Sequence, residues 1–80
     1  MESNNDTFDL SCLPTGADGR VVTVHGSGAV ARRLMEMGVV PGARIRMVKS
    51  APFGDPLEVR VRGYSLALRK NEANAIEVSF

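Results

Sequence analysis

From Pro41 onward the apolar residues fall on every second position. Ile45 and Met47 alternate with Arg44, Arg46 and Val48. Leu57, Val59 and Val61 alternate with Glu58, Arg60 and Arg62. Leu66 and Leu68 alternate with Ser65, Ala67 and Arg69, and Ile76, Val78 and Phe80 with Glu77 and Ser79. A period of two marks a strand with one buried face. The runs are separated by Ser50-Ala-Pro-Phe-Gly-Asp-Pro56, by Gly63 and by a polar turn, Lys70–Asn74. Pro and Gly fix the backbone of such turns. An earlier strand is predicted at Arg20–His25, a run rich in β-branched residues after Gly19. Strict alternation there places Val22 and Val24 on one face and Val21 and Thr23 on the other.

One segment has a different period. In Ala29–Met37, the residues Val30, Leu34 and Met37 follow helical spacing, with Ala31 and Met35 widening the stripe. Arg32, Arg33 and Glu36 lie on the other side. Ser27 is suited to cap the N-terminus. Gly38 suits the left-handed position after the helix, and Pro41-Gly42 ends the helix and opens a strand. A helix this short is marginal alone, so Leu34 and Met37 are expected to be held in a core. Five short strands with one helix inserted after the first predict a mainly β chain. A small closed barrel suits it better than a flat sheet, because closure removes exposed edges. The strand count and length fit an SH3-like barrel.

The chain has 80 residues. A domain near that size buries only roughly 60% of its unfolded surface, which leaves little room for a core and a deep cleft together. Residues 1–7 are polar and expected to be flexible; residues 8–80 are read as one domain. Within Phe8–Gly16, Leu10 and Leu13 are expected to anchor on the core, and Pro14 and Gly16 mark a turn. Cys12 is the only cysteine, so no internal disulfide forms and a reducing compartment is the natural reading. No apolar run approaches the roughly 18 residues of a membrane helix. The first residues have no signal-peptide pattern. The expected location is the cytoplasm, without direct membrane insertion.

The residues that would carry catalysis are scarce. There is one His, His25, and one Cys. No Gly-x-Ser-x-Gly, no phosphate loop and no His-Glu-x-x-His occurs. Gly26-Ser-Gly28 before a helix is far short of a dinucleotide fingerprint. The chain is therefore read as a non-enzyme, and no cofactor is expected. A closed Cys/His metal site needs about four ligands. A divalent transition metal could still bind between two molecules, with His25, Cys12, Asp55 and Glu58 as candidate ligands, and this would link a homodimer.

The remaining candidates are surfaces. Arg44 and Arg46 share one strand face, and Arg60 and Arg62 share another. Glu58 is expected to pair across strands with one of these arginines. Arginine forks suit carboxylates and phosphates, so this face is a candidate for an acidic partner. Phe53 in its Pro/Gly loop and Met35 at the edge of the helix stripe are further partner-binding candidates. The net charge of +1 argues against nucleic acid, as does the lack of aromatics interleaved with the basic residues.

A set of motifs gives a family resemblance. Leu13-Pro-x-Gly16, Gly19-Arg-Val-Val22, Gly26, Gly28, Arg33-Leu-Met-Glu-Met-Gly38 and Pro41-Gly42 resemble the FeoA domain pattern. So do Pro52-Phe-Gly-Asp-Pro56, Val61-Arg-Gly-Tyr64, Leu66-Ala-Leu-Arg69 and Glu72-Ala. The resemblance covers about residues 8–80. It implies an SH3-like fold related to the C-terminal domain of DtxR-type repressors. It also implies a cytoplasmic accessory role to FeoB, a membrane ferrous-iron transporter with a cytosolic GTP-binding domain. Family members are often described as binding transition-metal ions. Three readings follow: an adaptor of a FeoB-type transporter, a metal-responsive regulatory module, and a nucleic-acid-binding barrel. The last is disfavoured by charge, and the repressor form of the second lacks a DNA-reading helix.

Overall fold

The computed structural model describes residues 6–26, 28–50 and 55–80. The elements run β1 (Thr7–Asp9), a 3₁₀ turn (Leu10–Cys12), β2 (Asp18–Val24), α1 (Ala29–Glu36), β3 (Arg44–Ser50), β4 (Leu57–Val61), β5 (Tyr64–Leu68), α2 (Lys70–Asn74) and β6 (Ile76–Ser79). All six strands are antiparallel, in the order β1-β6-β2-β3-β4-β5. The fold is mainly β and SH3-like. The expected five strands become six, and α1 follows the second strand rather than the first. The additional strand, β1, has no alternation of its own to announce it. It exists because Thr7, Phe8 and Asp9 pair with Ser79, Val78 and Glu77 at the free side of β6. Phe8 then packs against Phe80 with the rings tilted by 45°, ring centroids 4.9 Å apart.

The alternating positions of β3 to β6 point into one core. Ile45, Met47, Leu57, Val59, Val61, Leu68, Ile76 and Val78 are all at most 2% exposed. β2 departs from the expectation. It begins at Asp18, and a bulge falls between Val21 and Thr23: Val21 pairs with Val78, but Thr23 pairs with Glu77. The extra residue is Val22. A bulge resets the alternation beyond it. Val21 is therefore buried, Val24 packs on the core, and Val22 is left 39% exposed.

α1 is anchored through very few residues. Leu34 is its one buried residue; Val30 is 46% exposed and Met35 47%. The expected stripe from Val30 to Met37 thus faces the core only at its C-terminal end, where Met37 is half-buried. The helix end explains this. Val39 N–H donates to Leu34 O at 3.0 Å, and Gly38 N–H to Met35 O at 3.1 Å. Gly38 sits at φ 98°. This nested pair of bonds is the Schellman closure. It satisfies orphan carbonyls and brings the residue after the glycine back onto the helix. Both partners of that contact, Leu34 and Val39, are fully buried.

The chain then turns sharply. Ala43 N–H donates to Val40 O at 3.0 Å across Pro41-Gly42, with Gly42 at φ 92°. Pro second and left-handed Gly third make a type II turn, which feeds the chain into β3. The expected capping residue Ser27 lies outside the described residues. Gly28, at φ 77°, stands at the N-cap position, and no side chain caps the helix there.

These contacts separate two helix positions that look alike in the sequence. Leu34→Ala should cost about 3 kcal/mol, as buried leucines do. Val30→Ala should stay within about 0.5 kcal/mol. Chemical denaturation of the two variants checks the difference; equal losses would mean that the whole stripe is core.

Candidate functional site

The sheet register brings four of the predicted residues together. Arg44 and Arg46 point outward from β3, and Arg60 from β4. Arg46 and Arg60 are direct cross-strand partners. Arg62 does not continue β4 as its alternation suggested. It occupies the β4–β5 turn with Gly63, at φ 54° and 82°. Two successive positive φ values make the tight turn that matches strand twist. Arg62 nonetheless reaches the same surface. Asp18, Arg44, Arg46, Arg60, Arg62 and Gly63 together line one shallow depression.

Gly38 leaves room for Arg62. A Cβ built on Gly38 would stand 2.8 Å from Arg62 Cδ. The bare glycine thus serves two purposes: it adopts the left-handed helix end and leaves room for the Arg62 stem to cross it.

Two residues of this surface were not singled out by sequence. Asp18 and Arg20 lie on β2 opposite Arg46 and Arg44. The strand expected from sequence begins at Arg20, which leaves Asp18 outside it; β2 begins at Asp18. Alternation extended back through buried Gly19 would have found Asp18. Arg46 Nε and its terminal nitrogen donate to the two oxygens of Asp18 at 2.8 and 3.1 Å. The hydrogen bond from Arg46 holds the Asp18 carboxyl below its ordinary value, and the pair raises that of Arg46. Arg20 donates to Gly42 O at 2.9 Å. Among the described residues, Arg44, Arg60 and Arg62 have no ion-pair partner.

The other candidates are dispersed. Glu58 pairs across the strands with Lys49 at 3.8 Å, not with an arginine. A second bulge, between Met47 and Lys49, brings Lys49 opposite Glu58. His25 Nε2 lies 2.6 Å from Glu77 Oε1, and Thr7 donates to the other Glu77 oxygen. These two bonds, Thr7 first, hold Glu77 below its ordinary value. Asp55 accepts from Lys70 N–H at 3.2 Å. Cys12 is exposed beside Leu13, Met47 and Leu57. The four expected metal candidates are therefore not brought together. Among the described residues, no group of three or more His, Cys, Asp or Glu side chains could hold a metal ion. The described residues of a single chain thus do not form a metal centre. Phe53 lies outside the described residues, and Met35 is exposed on α1.

One further ion pair is structural. Glu72, 9% exposed, accepts from Arg33 of α1 and from Arg69 N–H at 2.9 Å. It starts α2 and ties the two helices together. No described helix is long and apolar enough to cross a membrane.

The Asp18–Arg46 pair gives a pH signature. The folded value of Asp18 lies below the unfolded one. Its contribution is complete above the unfolded carboxylate value, about 3.9, and is lost as pH falls through the lowered value. Asp18→Asn should therefore flatten the acid limb of Tm against pH and leave neutral pH less affected. An acid limb identical to that of the parent would show that the pair adds no stability.

The FeoA domain profile matches residues 8–79. A Porphyromonas gingivalis protein, a fusion of Fe(2+) transport protein A with the Fe(2+) transporter FeoB, is 42% identical over 69 residues. That match covers 86% of this chain and only 8% of the fusion's length. The solution structure of the Chlorobium tepidum FeoA protein is 42% identical with a TM-score of 0.85, covering 91% of this chain and 70% of that one. The Stenotrophomonas maltophilia FeoA, solved with zinc and described as an SH3 domain protein, is 41% identical with a TM-score of 0.81, covering 90% and 89%. A manganese-dependent transcriptional repressor shares the fold at a TM-score of 0.86 but only 19% identity, covering 96% of this chain and 43% of its own. The profile match and the identities make the assignment: this chain belongs to the FeoA domain family.

Proposed function

We propose that this chain is a non-enzymatic, cytoplasmic accessory protein of ferrous iron uptake that docks on a FeoB-type GTP-binding membrane transporter. The observation that carries this reading is the Porphyromonas gingivalis relative, in which FeoA and FeoB form one polypeptide. Fusion holds two modules at high effective concentration, an arrangement that suits modules acting on each other. The docking surface proposed here is the arginine face: Arg44, Arg46, Arg60 and Arg62. Their forks are exposed, and three of them have no ion-pair partner among the described residues. Arginine is enriched among residues that dominate binding energy.

The test is capture of the full-length transporter, in detergent, on the immobilised chain. Arg44→Glu with Arg46→Glu should leave the fold intact, since both side chains are exposed, and reduce affinity by at least about tenfold. Unchanged affinity would remove this face from the interface.

A second reading is favoured by the zinc complex of the Stenotrophomonas maltophilia relative. In it the chain is a metal-responsive module whose metal sits between two copies, ligated by residues such as His25 or Cys12. Sedimentation with and without zinc separates the two readings: a zinc-dependent dimer supports this one.

A further inference from the structure

We infer that the arginine face receives an extended acidic segment with carboxylates at alternate positions, and that Asp18 is a resident competitor for Arg46. The inference deepens the docking reading above and rests on it for the identity of the partner. The register sets five outward positions, and the β4–β5 turn adds a sixth, in two rows. Arg20, Arg44 and the turn residue Arg62 form one; Asp18, Arg46 and Arg60 form the other. The two rows thus hold five arginines and one aspartate, and Asp18 pairs with Arg46, on a chain whose total charge is +1.

This arrangement is unfavourable in the isolated protein. Arg46 and Arg60 are directly opposite, and like charges in that relation repel. Asp18 relieves only one side of Arg46. An added anion between the rows would relieve the rest. The face already shows which anion suits it, because Arg46 holds the Asp18 carboxylate by two parallel bonds. Fork-to-carboxylate pairing of this kind is specific in geometry as well as charge.

Spacing defines the ligand further. Arg44 and Arg46 are two residues apart on one strand, about 6.4–6.8 Å. Alternate side chains of an extended peptide repeat at the same distance. Nucleic acid fits less well. The six positions include no aromatic on which bases could stack, the total charge is low, and a fixed carboxylate lies within the patch.

The test uses fluorescence anisotropy with a labelled Glu-Ser repeat peptide. Its controls are an isomer with all Glu residues at one end and a short DNA duplex. The full chain should bind the alternating peptide saturably and more tightly than either control. Salt should weaken binding, as expected of exposed charges. R44Q with R60Q, melting like the parent, should lose about tenfold, and D18N should gain about two- to fivefold, the worth of one exposed pair. Equal affinity for the isomer or the duplex would overturn the inference, as would an unaffected R44Q/R60Q variant. Weaker binding by D18N would overturn the competitor role. Transporter capture by the same variants is scored separately. If the arginine variants fail to capture the transporter yet the alternating peptide is not preferred, the docking reading survives and this inference falls. If the peptide is preferred but capture ignores the arginines, the ligand class stands and the docking reading falls.

Discussion

The closure of α1 at Gly38 is the constraint on which the rest of the molecule depends. A short helix between two strands has little stability of its own. Its only buried side chain is Leu34. The two backbone bonds around Gly38 fold Val39 back onto Leu34, so that both enter the core. The turn at Pro41-Gly42 follows at once and sets the start of β3. Gly42 N–H in turn donates to Val21 O at 2.7 Å, which binds the turn to β2. Helix end, turn and strand entry thus form one continuous backbone structure.

The same glycine connects the core to the surface. Because Gly38 has no side chain, Arg62 crosses it and joins Arg44, Arg46 and Arg60. The strands contribute regular spacing, and the β4–β5 turn contributes the residue that alternation alone would misplace. The inner faces of β3 and β4 are fully apolar while the outer faces carry the arginines. One alternating pattern therefore builds the core and the candidate interface together.

Much of this was legible from the sequence. Period-two alternation located β3 to β6, and helical spacing with Gly38 and Pro41 located α1. Other features depend on tertiary structure. β1 is three residues long and exists through its pairing with β6. The bulge at Val22 reverses the faces of β2, and no residue type there signals it. Val30 has the right spacing for the core, but the sheet meets the helix only near Leu34. For the candidate site, the four arginines were visible as residue types, and their convergence followed from register. Asp18 was not visible as a partner, because its link to Arg46 crosses 28 positions of sequence and requires β2 to lie beside β3. The metal candidates His25, Cys12, Asp55 and Glu58 form no group of three or more ligands among the described residues of one chain, and a site between two copies depends on contacts that no single-chain pattern specifies.

The central claim is that an exposed arginine face, built by strand register and completed at Gly38, is where this FeoA domain meets its partner. The most direct measurement is amide NMR of the labelled chain as full-length FeoB-type transporter is added in detergent. Line broadening is expected to concentrate on residues 18–20, 44–46 and 60–63. Broadening confined to α1, around Val30 and Met35, with the arginine face unchanged, would contradict it.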